Sequence, residues 1–216
     1  MISHHIAHDL LVDYASGSLP EAPSLVVATH LACCASCRGD VRRVEDIGGA
    51  LLESVGTASL GPDALAAVLD RLDTHEPETT ELRLDEESRK VLPGPLARHV
   101  HRNLGDLRWR RLGPRIEEAV LASASPIFKT ALLRVAAGAA MPAHTHGGQE
   151  YTLVLKGGIR DGGTEYRRGD VMSLDETHEH KPVATEDEEC ICLVVLDAPV
   201  RLTGRFARLL NPFIKH

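Results

Sequence analysis

Apolar positions recur at helical spacing through the first third of the chain and at strand spacing through the rest. Asp9-Leu-Leu-Val-Asp-Tyr-Ala is a short apolar stripe stopped by Gly17-Ser18 and Pro20. After Pro20, Leu25, Val26, Ala28 and Leu31 predict a second helix over Glu21 to Leu31. A third runs from Ser36 through Val41, Val44, Ile47 and Leu51-Leu52, with Gly48-Gly49 weakening its middle. Gly61-Pro62-Asp63 opens a fourth, whose Leu65, Val68, Leu69 and Leu72 form a one-sided stripe. That stripe is read first as ordinary core, with docking against a partner as the alternative. Further on, Leu107–Leu112, Ile116–Leu121, Phe128–Val135, Tyr151–Leu155, Val171–Leu174 and Cys190–Leu196 are short runs parted by Gly, Pro, Asp and Asn. They predict a small barrel or sandwich.

The texture divides the chain into a helical domain (1–75), an acidic, polar linker (76–93) ending at Pro93-Gly94-Pro95, and a β domain (94–216). With 216 residues, 43% hydrophobic and 25% charged, both domains can be packed. No apolar run approaches the roughly 20 residues of a membrane span. Met1 to Asp9 is too polar for a secretion signal, so a cytoplasmic protein is expected. The net charge of −7 is uneven: residues 1–75 carry ten acids against four Lys and Arg, a net of −6. That balance disfavours direct nucleic-acid binding and suits a basic protein partner.

Two constellations carry chemistry. His30, Cys34 and Cys37 form a His-x3-Cys-x2-Cys element where one helix hands over to the next. Two thiolates and an imidazole suit a closed structural Zn2+ site, with a fourth ligand drawn from His4, His5 or His8. Cys33 lacks the spacing and is read as a packing residue. Farther along, Gly138-x5-His144-x-His146-x3-Glu150-x6-Gly157 puts two imidazoles and a carboxylate of one parity at the start of a β region. Such donors suit Zn2+ or another divalent transition metal, with His178 or His180 as the fourth ligand. Cys190 and Cys192 alternate along one strand, so their sulfurs share a face. They are read as inert buried thiols, the alternative being an oxidisable pair.

The first element, in a short helical module with an upstream histidine, resembles the zinc-binding anti-sigma factors, and that resemblance implies His5, His30, Cys34 and Cys37 as ligands. The second matches the first cupin motif in full. The second cupin motif matches only at Gly169-Asp170 and His180-Lys-Pro182, with Arg168 where proline is usual. The cupin resemblance implies His180 beside His144, His146 and Glu150. Together the halves resemble the ChrR-type anti-sigma factors over nearly the whole chain.

The expected architecture is therefore α+β with two domains, a zinc-clipped helical bundle followed by a cupin (double-stranded β-helix) barrel. The resemblance implies that the helical module binds and inhibits an extracytoplasmic-function sigma factor. It further implies that the barrel is needed to respond to singlet oxygen or organic hydroperoxide stress. Transmission through the linker is a separate expectation, with proteolysis or a domain contact that the sequence does not show as the alternatives. A cupin metalloenzyme, a dioxygenase or isomerase with a structural zinc domain, is the alternative. The first reading makes the chain no enzyme, with no direct nucleic acid or membrane as partner.

Overall fold

The computed structural model describes residues 2–74, 82–123, 125–204 and 211. Helix α1 (His8–Ala15) buries Leu11 and ends where Gly17 takes a φ of +73°. Helix α2 (Glu21–Cys33) starts on Pro20 and buries Val26, Val27, His30 and Leu31. Cys34 is extended and breaks the helix. Its sulfur accepts from the Cys37 N–H and so caps α3 (Ala35–Glu53). The Gly48-Gly49 pair does not interrupt α3, although each glycine costs about 1 kcal/mol in helix propensity. Only Cys37 and Val41 of α3 are buried, both near its start, where it packs on α1. Helix α4 (Ala64–Thr74) follows.

The linker reading holds less well. Residues 76–81 lie outside the described residues, and from Leu82 onward the chain is built into the core. Asp85 caps α5 (Glu86–Val91) by accepting from the Ser88 N–H at 2.7 Å. Glu86 and Glu87 in its first turn and Arg89 and Lys90 in its last suit the helix dipole. Leu84, Ser88, Val91 and Leu92 are buried, and α6 (Gly94–Val100) packs against α2. A polar composition hid one short apolar face, and this face is what orders the segment.

Among the described residues the β region holds twelve strands: β1 (Arg110–Gly113), β2 (Ile116–Val120), β3 (Lys129–Val135), β4 (His144–His146), β5 (Glu150–Lys156), β6 (Gly158–Asp161), β7 (Thr164–Arg167), β8 (Val171–Leu174), β9 (Glu179–His180), β10 (Val183–Ala184), β11 (Cys190–Leu196) and β12 (Val200–Leu202). A six-stranded sheet runs β1-β2-β3-β11-β5-β8. Two three-stranded sheets, β10-β6-β7 and β12-β4-β9, complete it, and the pairings are antiparallel.

Strand β11 is buried at every position because both its faces are covered. Ile191, Leu193 and Val195 join the core shared with Leu11, Val26, Val27, Leu92 and Leu96 of the helices. Cys190, Cys192, Val194 and Leu196 join Val135, Val154 and Ile159 in a second, separate core. Strand β5 repeats the alternation, with Leu153 and Leu155 toward the helices and Val154 away from them. The helical module and the β region thus share one core. They are not two bodies joined only by a tether.

Candidate metal centres

His5, His30, Cys34 and Cys37 converge, with one ligand atom from each lying within 4.8 Å of all the others. The Nδ1 of His5 is 3.3 Å from the Cys34 sulfur and 3.5 Å from the Cys37 sulfur, and the His30 Nε2 is 3.3 Å from Cys37. Ligands about 2.1–2.3 Å from a tetrahedral ion stand about 3.5 Å apart, so the spacing fits zinc. Three of the four residues are buried, and His5 closes the exposed side. Burial, followed by the neighbouring Cys34, pushes the Cys37 thiol up to about 11. Burial also lowers His30, which keeps its imidazole neutral and able to coordinate. A cation among these sulfurs reverses the effect on the thiol by stabilising the thiolate. Of the candidate histidines His4, His5 and His8, the structure brings His5 to the sulfurs. Cys33 is exposed rather than packed, because it is the last residue of α2 and lies on its solvent side.

The second cluster is built by the β12-β4-β9 sheet, whose register sets His144 opposite His180. The Nε2 atoms of His146 and His144 lie 3.0 and 2.9 Å from the Nε2 of His180. The His144 Nδ1 is 2.7 Å from the Pro142 carbonyl and the His180 Nδ1 is 3.0 Å from an Asp161 carboxylate oxygen. Both oxygens only accept, so both Nδ1 atoms carry a proton, and in the neutral, metal-binding form of the rings both Nε2 atoms turn lone pairs toward each other. Facing lone pairs at this distance repel unless a cation lies between them. The donor set therefore fits a divalent metal, without choosing which.

All three rings are buried, and burial lowers the pKa of His144, partly offset by the Pro142 carbonyl. Glu150, expected as a direct ligand, does not join the three converging nitrogens. One oxygen lies 3.0 Å from the His146 Nδ1 and the other accepts from the Thr152 hydroxyl at 2.8 Å. Burial pushes its carboxyl up, but His146 and Thr152 outweigh this and hold it below its ordinary value. In this arrangement Glu150 lies beside His146 rather than among the converging nitrogens. His178 is exposed and bonded to Asp175 at 2.8 Å, so His180 occupies the place the two contested. The motif's end glycines, Gly138 and Gly157, both stand at φ +66°, where side chains are disfavoured.

Cys190 and Cys192 are fully buried with sulfurs 3.5 Å apart, and the Cys190 contact and burial raise the Cys192 pKa well above its ordinary value. Asp161 and the Pro142 carbonyl, which fix two of the three imidazoles, escaped the sequence reading. Nothing in sequence spacing links residue 161 to residue 180.

A family model described as a ChrR cupin-like domain matches residues 97–199, and one described as a putative zinc-finger matches residues 5–38. Anti-sigma-E factor ChrR of Cereibacter sphaeroides is 39% identical over 214 residues, 99% of each chain. The chain belongs to the ChrR family of anti-sigma factors. The crystal structure of Rhodobacter sphaeroides SigE in complex with the anti-sigma ChrR superposes with a TM-score of 0.79 at 39% identity, covering 91% of this chain and 100% of that one. The α+β architecture, helices followed by a cupin-like β domain, is thus that of the ChrR family. Its zinc-finger region coincides with the Cys/His cluster. No described helix is long and apolar enough to cross a membrane.

Proposed function

We propose that this chain is an anti-sigma factor that binds an extracytoplasmic-function sigma factor and negatively regulates transcription. The observation that carries the reading is the bare apolar surface of the helical module. Ile47, Leu51 and Leu52 on α3, Val55 and Leu60 after it, and Leu65, Val68, Leu69 and Leu72 on α4 are all at least half exposed, with Leu52 at 73% and Leu65 at 71%. The stripe expected to be core is not covered by this chain's described residues, and patches of this kind mark partner sites. The acidic balance of residues 1–75, ten acids against four Lys and Arg, suits a basic partner. ChrR, in the family to which the chain belongs, is named for inhibiting a sigma factor and has been crystallised with one.

The division of labour follows. Residues 1–75 carry the partner surface and a Zn2+ held by His5, His30, Cys34 and Cys37. The remainder, with α5 and α6 as its foundation, holds a divalent transition metal through His144, His146 and His180, with Glu150 fixing His146. Oxidative stress, singlet oxygen or organic hydroperoxide, acts on this second half and releases the partner. The test is co-expression with extracytoplasmic-function sigma factors of the same genome, followed by co-purification. A one-to-one, zinc-containing complex is expected. No complex with any of them, together with turnover at a redox metal in the barrel, would overturn the reading in favour of the enzyme.

A further inference from the structure

The Cys/His centre does not end with its four ligands. The ring of His30 is fixed from outside by the β region: its Nδ1 donates to the Gly169 carbonyl at 2.8 Å, which leaves Nε2 facing Cys37. The next residue, Asp170, is 1% exposed and grips the chain just before His5. One carboxylate oxygen accepts the N–H groups of Ser3 and His4 at 2.7 and 2.9 Å. The other accepts the Arg167 N–H at 2.7 Å, which closes the turn. The Val171 N–H then donates to the His4 carbonyl at 3.0 Å, and the His4 ring lies against Tyr166 of β7. Gly169 stands at φ +92°, and a Cβ there would fall 2.7 Å from the Ile2 side chain. The turn is therefore shaped to receive residues 2–4, and one dipeptide, remote in sequence from both, bonds the ring of His30 through Gly169 and the backbone just before His5 through Asp170.

That dipeptide is wired to the histidine cluster. Strand β7, which leads into it, pairs with β6, and β6 ends at Asp161, the carboxylate that holds the His180 ring. Strand β8, which leaves it, runs to Leu174 opposite Glu150.

We propose that the Gly169-Asp170 turn is the outer half of the N-terminal metal centre, positioning His30 and His5, so that retention of the ion depends on the barrel and, through the β6–β7 hairpin, on the histidine cluster. Asp170 and Gly169 are positioning residues: they touch ligands or the backbone beside them, and no ion. The inference rests on the reading of His5, His30, Cys34 and Cys37 as a metal site.

The test uses the full chain loaded with Co2+ at the Cys/His centre. Thiolate-to-cobalt absorption reports that centre selectively, since the His144, His146 and His180 cluster supplies no sulfur. Loss of the band is followed after adding excess EDTA. Asp170→Asn is expected to lose it about tenfold faster than the unaltered chain, the lower end of the effect of removing a ligand's outer partner. Asp161→Asn, remote from the sulfurs, should speed the loss about threefold through the hairpin. Lys156→Met is the control: it removes the ion pair to Glu189 and the 4.0 Å approach to Glu87 of α5, but touches neither the turn nor a ligand. It should lose the band at the unaltered rate.

An unaltered rate for Asp170→Asn, or equal acceleration by Lys156→Met, would overturn the positioning role. Should Asp170→Asn fail to fold, Asp161→Asn decides: acceleration supports the inference, and an unaltered rate overturns the link to the cluster. Absence of any thiolate band in the unaltered chain would instead overturn the metal reading on which the inference stands.

Discussion

Helices α2 and α4 are built from the same residue types, leucine, valine and alanine, yet the protein treats them in opposite ways. In α2, Val26, Val27 and Leu31 are buried against the six-stranded sheet and α6, and its far end is clasped by the Cys/His centre. In α4, every position from Leu65 to Leu72 is exposed. The hydrophobic effect is indifferent to which chain supplies the cover, so an apolar stripe left bare by the described residues is open to another surface. Helix α3 contains the same contrast within one element. Its first turns carry the buried Cys37 and Val41, and its last carry the exposed Ile47, Leu51 and Leu52. One end of the module is packed into this chain, and the other, bare among the described residues, is the face proposed to meet the partner.

The largest effect expected is at the packed end. Replacing Cys34 and Cys37 together by Ser removes both sulfurs from the point where α2 meets α3. Metal analysis should show the loss of the ion from that centre, and sigma binding should go with it, because such an ion contributes directly to folding a small module. Retention of binding by the metal-free double variant would show that α3 and α4 are held without the clasp. The contrast between helices is sharpened by a matched pair. Val27→Ala removes two buried methyl groups and should lower unfolding free energy in urea by about 2 kcal/mol. Leu69→Ala on α4 should change it by no more than about 0.5 kcal/mol, as expected of an exposed site. Equal losses would place α4 in the core after all.

A smaller effect comes from pH. Burial pushes the Asp170 carboxyl up, but the N–H groups of Arg167, His4 and Ser3 outweigh it, and the group sits below its ordinary value of 3.8. A carboxyl whose folded pKa is depressed stabilises the fold above its unfolded value, and that stability is lost as pH falls through the folded one. Between pH 5 and pH 3 the full chain should therefore lose a component of urea stability that Asp170→Asn lacks. An identical acid slope in both would show that the clasp contributes nothing to stability.

Long elements with a single period were legible in the sequence. Helices α1 to α4 and strands β2, β3, β5, β8 and β11 lie where the apolar spacing predicts them, and β1 overlaps its run only at the end. The strands that escaped, β4, β6, β7, β9, β10 and β12, have two to four residues and lack the apolar run that marks the equally short β8. Two of them nonetheless build the histidine cluster. Helix α5 was hidden by its charges, since four of its six residues are Glu, Arg or Lys. The ligand spacings His30-x3-Cys34-x2-Cys37 and His144-x-His146 are local and could be read directly. Which of His4, His5 and His8 faces the sulfurs depends on Asp170 holding residues 3 and 4, a contact between opposite ends of the chain. The exposure of α4 was illegible for a different reason. A stripe shows that a helix needs cover, and the sequence does not say whose.

The most direct test of the central claim is titration of a purified extracytoplasmic-function sigma factor that co-purifies with this chain against the chain itself and against Leu65→Asp/Leu69→Asp. Circular dichroism and metal content of the variant serve as the check on its fold. The account predicts an unchanged fold and zinc content with affinity reduced roughly 100-fold or more, as for the loss of two central apolar contacts. A variant that binds as tightly as the unaltered chain would contradict the claim that this bare helical face is where the sigma factor docks.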